Sequence, residues 1–225
     1  MRATAAANSP NRKKSGPGPG RPTRLQAEQR NLELLDKALD LFLENGYERT
    51  TIEGIAAAVG MAKRTVYAQY GDKKALFMAS LQRAINEWIV PVEILQAAES
   101  DDLEETLLRI GQILVDNIMT PEGLRLLRIT NAESTRMPEI GAYTHQQGTG
   151  PTLDYLADLF TRRVRPVRGE PLDAPAAALA FLYLVVGGPA SLTAWGVAID
   201  ETKISSHTRY CVRIFLHGLL SARSR

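Results

Sequence analysis

The chain has 225 residues, 44% of them hydrophobic, and a formal net charge of +2, so it can build a packed core in one or two domains. Its one cysteine, Cys211, excludes an intrachain disulfide, fits a reducing cytoplasm and reads as a small core residue. His145, His207 and His217 are too scattered for a metal set, and no H-x-x-x-H, C-x-x-C, G-x-S-x-G or phosphate-loop pattern occurs, so neither enzyme chemistry, a metal nor a cofactor is expected.

Residues 1–24 carry six basic residues and no acid, against a net charge of −1 over residues 25–74 and −3 over residues 75–225. This segment, rich in Ala, Ser, Pro and Gly, cannot bury enough surface to fold alone and is expected to be a disordered basic arm. It has no apolar run and therefore does not read as a secretory signal. A basic arm on a slightly acidic body implies a polyanionic partner approached from one end. Within it Gly20-Arg21-Pro22, after Lys13-Lys14, is similar to the core of AT-hook peptides. Arg21 is thus a candidate minor-groove contact, with a loose electrostatic tether as the alternative.

Leu25 to Asn45 reads as a first helix with Leu32, Leu35, Ala38, Leu39 and Phe42 on its buried stripe. Tyr47, after Gly46, is expected to pack beneath two short helices. The first of these is marked by Ile52, Ile55, Ala56 and Val59 and stopped by Gly60, with Thr50 and Thr51 as candidate N-caps and Thr50 with Glu53 as a capping box. The other, the third helix of the chain, starts at Lys63 and keeps only Val66 and Tyr70 on one apolar line. With Val66 inward, Arg64 and Ala68 point away from the core, Thr65 and Tyr67 lie on the flanks, and Lys63 and Gln69 lie near the edges. That face has no acid, which suits phosphates and base edges. Helix, tight turn, helix is the helix-turn-helix pattern, whose second helix enters the DNA major groove. A fourth helix opens near Asp72. Lys73 and Lys74 in its first turn oppose the helix dipole, so phosphate binding rather than stability is the expected reason for them.

Residues 30 to 77 resemble the DNA-binding domain of the tetracycline-repressor (TetR/AcrR) family of bacterial regulators. The resemblance rests on Ala38-Leu39-Asp40-Leu41-Phe42 running to Gly46-Tyr47, on Thr50-Thr51, on Ile55-Ala56 with Gly60, on Lys63-Arg64-Thr65-Val66-Tyr67, and on Lys73-Lys74-Ala75-Leu76. Ala62 stands where a Ser commonly caps the recognition helix, and Ala68 and Gln69 replace the usual aromatic and His. The resemblance implies a DNA-facing set of Thr50, Thr51, Lys63, Arg64, Thr65, Tyr67, Ala68, Gln69 and Lys73, the last clamping the operator backbone. Glu133-Ser134-Thr135-Arg136-Met137-Pro138-Glu139-Ile140 is similar to the middle of the AefR-like regulatory subgroup.

Beyond Leu76 the pattern stays helical. Pro91 is expected to kink or end the fourth helix near Ile89. Asp101 or Asp102 caps the next helix, Thr120-Pro121 opens another, and Pro138 opens a longer one with a local bend at Gly148-Thr149-Gly150. Arg162, Arg163 and Arg165 close that helix as favourable C-terminal charges rather than as a second DNA site. No strand signal competes, so the fold is expected to be all-α: a three-helix helix-turn-helix domain at residues 25–74, then about nine helices at residues 75–225. The apolar run Ala176 to Ala198 has no charge but many Ala and Gly residues, so it reads as an interface helix and not as a membrane span.

Leu179, Leu182, Val186 and Leu192, with Tyr210, Ile214, Phe215, Leu216 and Leu219, exceed what one inward stripe needs, which argues for an interface. In the resembled family these last two helices pair with their copies, implying a homodimer on a palindromic double-stranded DNA operator. The resemblance also implies a small-molecule effector among the central helices whose entry moves the fourth helix. Trp88, Met119, Leu126, Met137, Tyr143, Phe181 and Trp195 are the candidate pocket residues, Arg128 and His145 are candidate polar determinants, and an apolar or amphipathic effector is expected. The function so implied is a ligand-responsive cytoplasmic repressor. The alternative is a nucleoid-type protein that binds DNA nonspecifically without an effector.

Overall fold

The computed structural model describes residues 23–164 and 172–220. Among these residues it holds twelve α-helices and no strand. Helix α1 (Arg24–Arg49) starts with a capping box: the Thr23 hydroxyl accepts from the Gln26 amide, and the Gln26 side chain accepts from the Thr23 amide. Near its end Gly46, at φ 80, breaks the helix in the left-handed region open to glycine. Its buried face is Leu34, Leu35, Ala38 and Phe42, whereas Leu32 is 39% exposed. The expected stripe is therefore rotated too far. Its true centre line passes through Asn31, a polar residue that looks like a break in the pattern, and Leu32 lies roughly 100° away from it.

Helices α2 (Ile52–Ala58) and α3 (Lys63–Tyr70) form the helix-turn-helix, with Gly60 at φ 63 in the turn. The cap of α2 is Thr51, whose hydroxyl accepts from the Gly54 amide at 3.1 Å. Thr50 does not cap α2 but is the C-cap of α1. It is 4% exposed, and its hydroxyl reaches the Leu41 and Gly46 carbonyls at 3.0 and 2.9 Å. Ala62 gives α3 no side-chain cap. Helix α4 (Lys73–Trp88) is capped by Asp72 and ends at Ile89, two residues before Pro91.

The body comprises α5 (Val92–Ala97), α6 (Leu103–Ile118) capped by Asp102, and α7 (Pro121–Glu133) capped by Thr120. Helix α8 (Pro138–Thr144) runs through a π turn at His145–Thr149 into α9 (Gly150–Arg163). Likewise α10 (Ala174–Leu182) runs through a π turn at Tyr183–Gly187 into α11 (Gly188–Ala194), and α12 (Glu201–Leu220) completes the described chain. Both π turns lie directly before a Gly-Pro pair, Gly150-Pro151 and Gly188-Pro189. Proline lacks the amide proton and its ring crowds the carbonyl four residues back, so one wider turn lets the helix continue instead of ending.

Two apolar cores result. One joins α1 to α4 around the rings of Phe42, Tyr47 and Phe77, with Phe42 and Phe77 centroids 4.7 Å apart, and continues into α7 and α8 through Leu126, Ile129, Met137 and Ile140. The other fills the body around Phe160, Phe181 and Phe215. Ion pairs Arg125–Asp40, Arg136–Glu48 and Lys74–Glu139 also bridge the head to α7 and α8. All are well exposed, and such pairs contribute little. Each of the four buried apolar side chains contributes roughly 1.5–3 kcal/mol, so packing rather than charge holds the head on the body.

The run Ala174–Ala194 is long and apolar enough to cross a membrane by composition. Its Ala177, Ala178, Phe181, Val185 and Ala190 are nevertheless part of the protein core. At the end of α9, Arg162 pairs with Glu99 and Asp158 while Arg163 donates to the Ser100 and Asp101 carbonyls. These arginines lock the α5–α6 connection onto α9. Arg165 lies outside the described residues.

Candidate nucleic-acid interface and adjoining cavity

Helix α3 inserts one buried side chain, Val66, into the head and leaves the rest of its first two turns outside. Arg64, Thr65 and Ala68 face solvent with no side-chain partner among the described residues. Lys63 and Tyr67 are exposed too, but α2 brings an acid to them. Glu53 lies 3.9 Å from Lys63 Nζ and accepts from the Tyr67 hydroxyl at 3.4 Å. The face expected to be free of acid is thus flanked by one, because Glu53 belongs to a neighbouring helix that rotation of α3 alone does not reveal.

The far end of α3 is tied to α1. The Gln69 amide donates to Asn31 Oδ1 at 2.7 Å, and the Tyr70 hydroxyl reaches the same oxygen at 2.5 Å. Burial pushes the Tyr70 phenol upward from its ordinary pKa, so it stays a donor. Asn31 is the residue that sequence reasoning missed, and its signal was a polar side chain on the centre line of an apolar stripe.

Two expected DNA-facing residues, Thr50 and Lys73, have partners within the head. Thr50 is buried against the carbonyls of α1. Lys73 folds back, its Nζ donating to the Tyr47 and Glu48 carbonyls at 2.9 and 3.3 Å and lying 4.3 Å from the Tyr47 ring centroid. Its neighbour Lys74 pairs with Glu139 at 2.5 Å. Lys73 thus satisfies carbonyls at the broken end of α1, where the dipole favours positive charge, while Lys74 joins α4 to α8 through an exposed pair that adds little stability. Thr51 is exposed and serves as the α2 cap. Arg21 lies outside the described residues.

A cavity of about 420 Å³ opens below the head, within the usual range for small-molecule sites. Its walls come from the last turn of α4 (Ile85, Trp88, Ile89), from α6 (Leu114, Asn117, Ile118), and from both π turns with α9 and α11. Of the seven pocket residues expected, Trp88 and Trp195 line it. Leu126 and Met137 do not, since they close the head core, and Phe181 belongs to the phenylalanine cluster of the body. Tyr143 donates to Asn86 at 2.9 Å, and Met119 packs on the body core. Arg128 is held by the Thr193 carbonyl at 3.0 Å, and neither it nor His145 lines the space. Large side chains fill space, whereas this cavity exists where Gly148, Gly187, Ala190 and Ala194 leave it unfilled.

At the inner end of the cavity three elements meet. Trp88 Nε1 donates to the Asn117 carbonyl at 3.1 Å and Asn117 Nδ2 donates back to the Trp88 carbonyl at 3.2 Å. Gly123 of α7 lies against both, and a Cβ there would stand 2.7 Å from the Asn117 and Ile118 carbonyl oxygens. Among the described residues no group of three His, Cys, Asp or Glu side chains could hold a metal ion.

Comparison with known proteins agrees with this arrangement. Residues 34–79 match the family described as bacterial regulatory proteins, tetR family, and residues 105–218 match the AefR-like transcriptional repressor, C-terminal domain. A helix-turn-helix transcriptional regulator of Mycobacterium bovis is 28% identical over 118 residues, which is 52% of this chain and 54% of that protein. The match thus spans about half the length of such relatives. The transcriptional activator FasR of Mycolicibacterium smegmatis is 30% identical over 150 residues, 67% of each chain. Among solved structures, the flavonoid-responsive regulator FrrA superposes with a TM-score of 0.63 at 27% identity, covering 84% of this chain and 97% of its own. These relatives are regulators and not enzymes. With two matched segments that together run from the DNA-binding head to α12, the chain belongs to the TetR family of helix-turn-helix transcriptional regulators.

Proposed function

We propose that this regulator is a homodimeric, ligand-responsive repressor of the cytoplasm that binds a palindromic operator and is released when a small molecule fills the cavity. The observation that carries the reading is the span of α4. Its last turn walls the cavity with Ile85, Trp88 and Ile89, and its cap, Asp72, comes after α3 with a single residue, Gly71, between them. A ligand that displaces one end of this rigid helix displaces the other, and with it α3. The name of FrrA, a flavonoid-responsive regulator, and the repressor description of the AefR-like domain support the same direction.

In this reading Arg64, Thr65 and Ala68 face base edges, while Lys63, Tyr67, Gln69 and Thr51 contact the backbone or groove walls. Lys73 keeps one donor beyond the two carbonyls it satisfies and can offer it to a phosphate. Thr23 and Arg24 belong to the start of α1, and the arm before them, residues 1–22, lies outside the described residues and adds Arg21 in the minor groove in this reading. Residues 75–225 form the effector and dimerisation unit. Its exposed apolar side chains gather on the last helices: Leu179, Tyr183, Leu192, Tyr210 and Ile214 are each more than 40% exposed. A second copy covering them would set the two α3 helices at a spacing of about 34–36 Å or somewhat more.

The name of FasR favours a second reading, activation, through the same DNA contacts. Footprinting on DNA flanking the protein's own gene tests the binding mode. One protected palindrome is expected, and diffuse coverage would instead mark a nonspecific DNA organiser. A promoter reporter then separates repression from activation.

A further inference from the structure

We infer that the cavity takes an uncharged, planar aromatic compound bearing a hydroxyl donor, an inference that rests on the ligand-responsive function proposed for this chain. No Asp, Glu, Lys, Arg or His lines it among the described residues. A buried carboxylate or ammonium would have no counter-charge there, and burying an unpaired charge is far more costly than burying a neutral group. Trp88 forms one apolar wall. Its indole proton is spent on the Asn117 carbonyl, so it presents ring surface and not a donor.

Three polar groups of the wall, Asn117, Thr144 and Thr152, have also spent protons on protein carbonyls, whereas Thr149, Ser191 and Asn131 keep theirs. Because a carbonyl can only accept, the Asn117 group that meets the Trp88 carbonyl is its NH2, which leaves Oδ1 as a free acceptor. Thr144 and Thr152 donate to the Ile140 and Gly148 carbonyls of their own helix at 2.8 and 3.5 Å, leaving oxygen lone pairs. At the mouth, Trp195 is 77% exposed and keeps a donor that water satisfies. An aromatic ring laid on Trp88 with its hydroxyl toward Asn117 Oδ1 satisfies both the apolar wall and the acceptor.

The chain's two tryptophans both line the cavity, so intrinsic emission reports occupancy without substitution. Calorimetry and Trp emission on the full chain, with 2-naphthol, 2-methoxynaphthalene and 2-naphthoate at neutral pH, test the inference. The expected order is naphthol tightest, the ether about tenfold weaker for the lost hydrogen bond, and the carboxylate weaker by about a hundredfold or more, each with a change in Trp emission. An ether equal to naphthol, a carboxylate equal or tighter, binding that leaves the emission unchanged, or no binding of naphthol overturns it. The ligand-responsive reading fails separately, when protein saturated with a cavity ligand holds operator DNA as tightly as free protein.

Discussion

Thr50 and Thr51 are neighbours with opposite duties. Thr51 turns outward and caps α2, while Thr50 turns inward and bonds two carbonyls around the break in α1. Thr50→Val keeps the shape and removes only the hydroxyl, leaving buried carbonyls one donor short. The expected cost is about 1–2 kcal/mol of stability, read as a lower midpoint in urea, while operator affinity of the folded protein stays within about twofold of the original. A large loss of affinity at unchanged stability would instead make Thr50 a DNA contact. Such inward and outward choices between adjacent threonines are illegible in sequence, since both satisfy the same capping pattern. Lys73 shows the same limit. Its position at a helix start reads as unfavourable until the fold brings the Tyr47 and Glu48 carbonyls to it.

At the scale of elements, the starts of α4, α6 and α7 were legible because each carries its own cap: Asp72, Asp102 and Thr120-Pro121 all act as their sequences imply. The end of α4 before Pro91 was legible for the same local reason. What sequence does not show is the long-range meeting of α4, α6 and α7 at Trp88, Asn117 and Gly123, where the glycine matters for lack of a side chain. Gly123→Ala would push a methyl group against two backbone carbonyls that cannot turn aside. A loss of about 1–3 kcal/mol is expected, together with a shift in tryptophan emission as the Trp88–Asn117 pair opens. Unchanged emission and stability would show that α7 does not press on this junction. The cavity was legible only in its two tryptophans, because its remaining volume is set by small residues and by two π turns that reposition α9 and α11.

At the scale of the whole molecule, the late helices divide their apolar residues between two tasks. Phe215 and Leu216 are buried in the body core, Leu182 and Val186 line the cavity, and Leu179, Leu192, Tyr210 and Ile214 remain outside. The surplus read from the sequence was therefore genuine but smaller than the residue count suggested. Replacing Tyr210 and Ile214 together by Glu places two charges on a face expected to meet its own copy. Sedimentation at micromolar concentration is expected to change from dimer to monomer with the helical circular dichroism retained, and a dimer that survives would move the interface elsewhere.

Operator binding by the α3 face is tested most directly by titrating the protected palindrome with the original protein and with the double variant Arg64→Ala, Tyr67→Ala. Neither side chain supports the core, so the variant is expected to remain a folded dimer and to bind at least about tenfold more weakly, since each good base contact is worth about 1–3 kcal/mol. Equal protection by a folded, dimeric variant would contradict the assignment of this face to DNA.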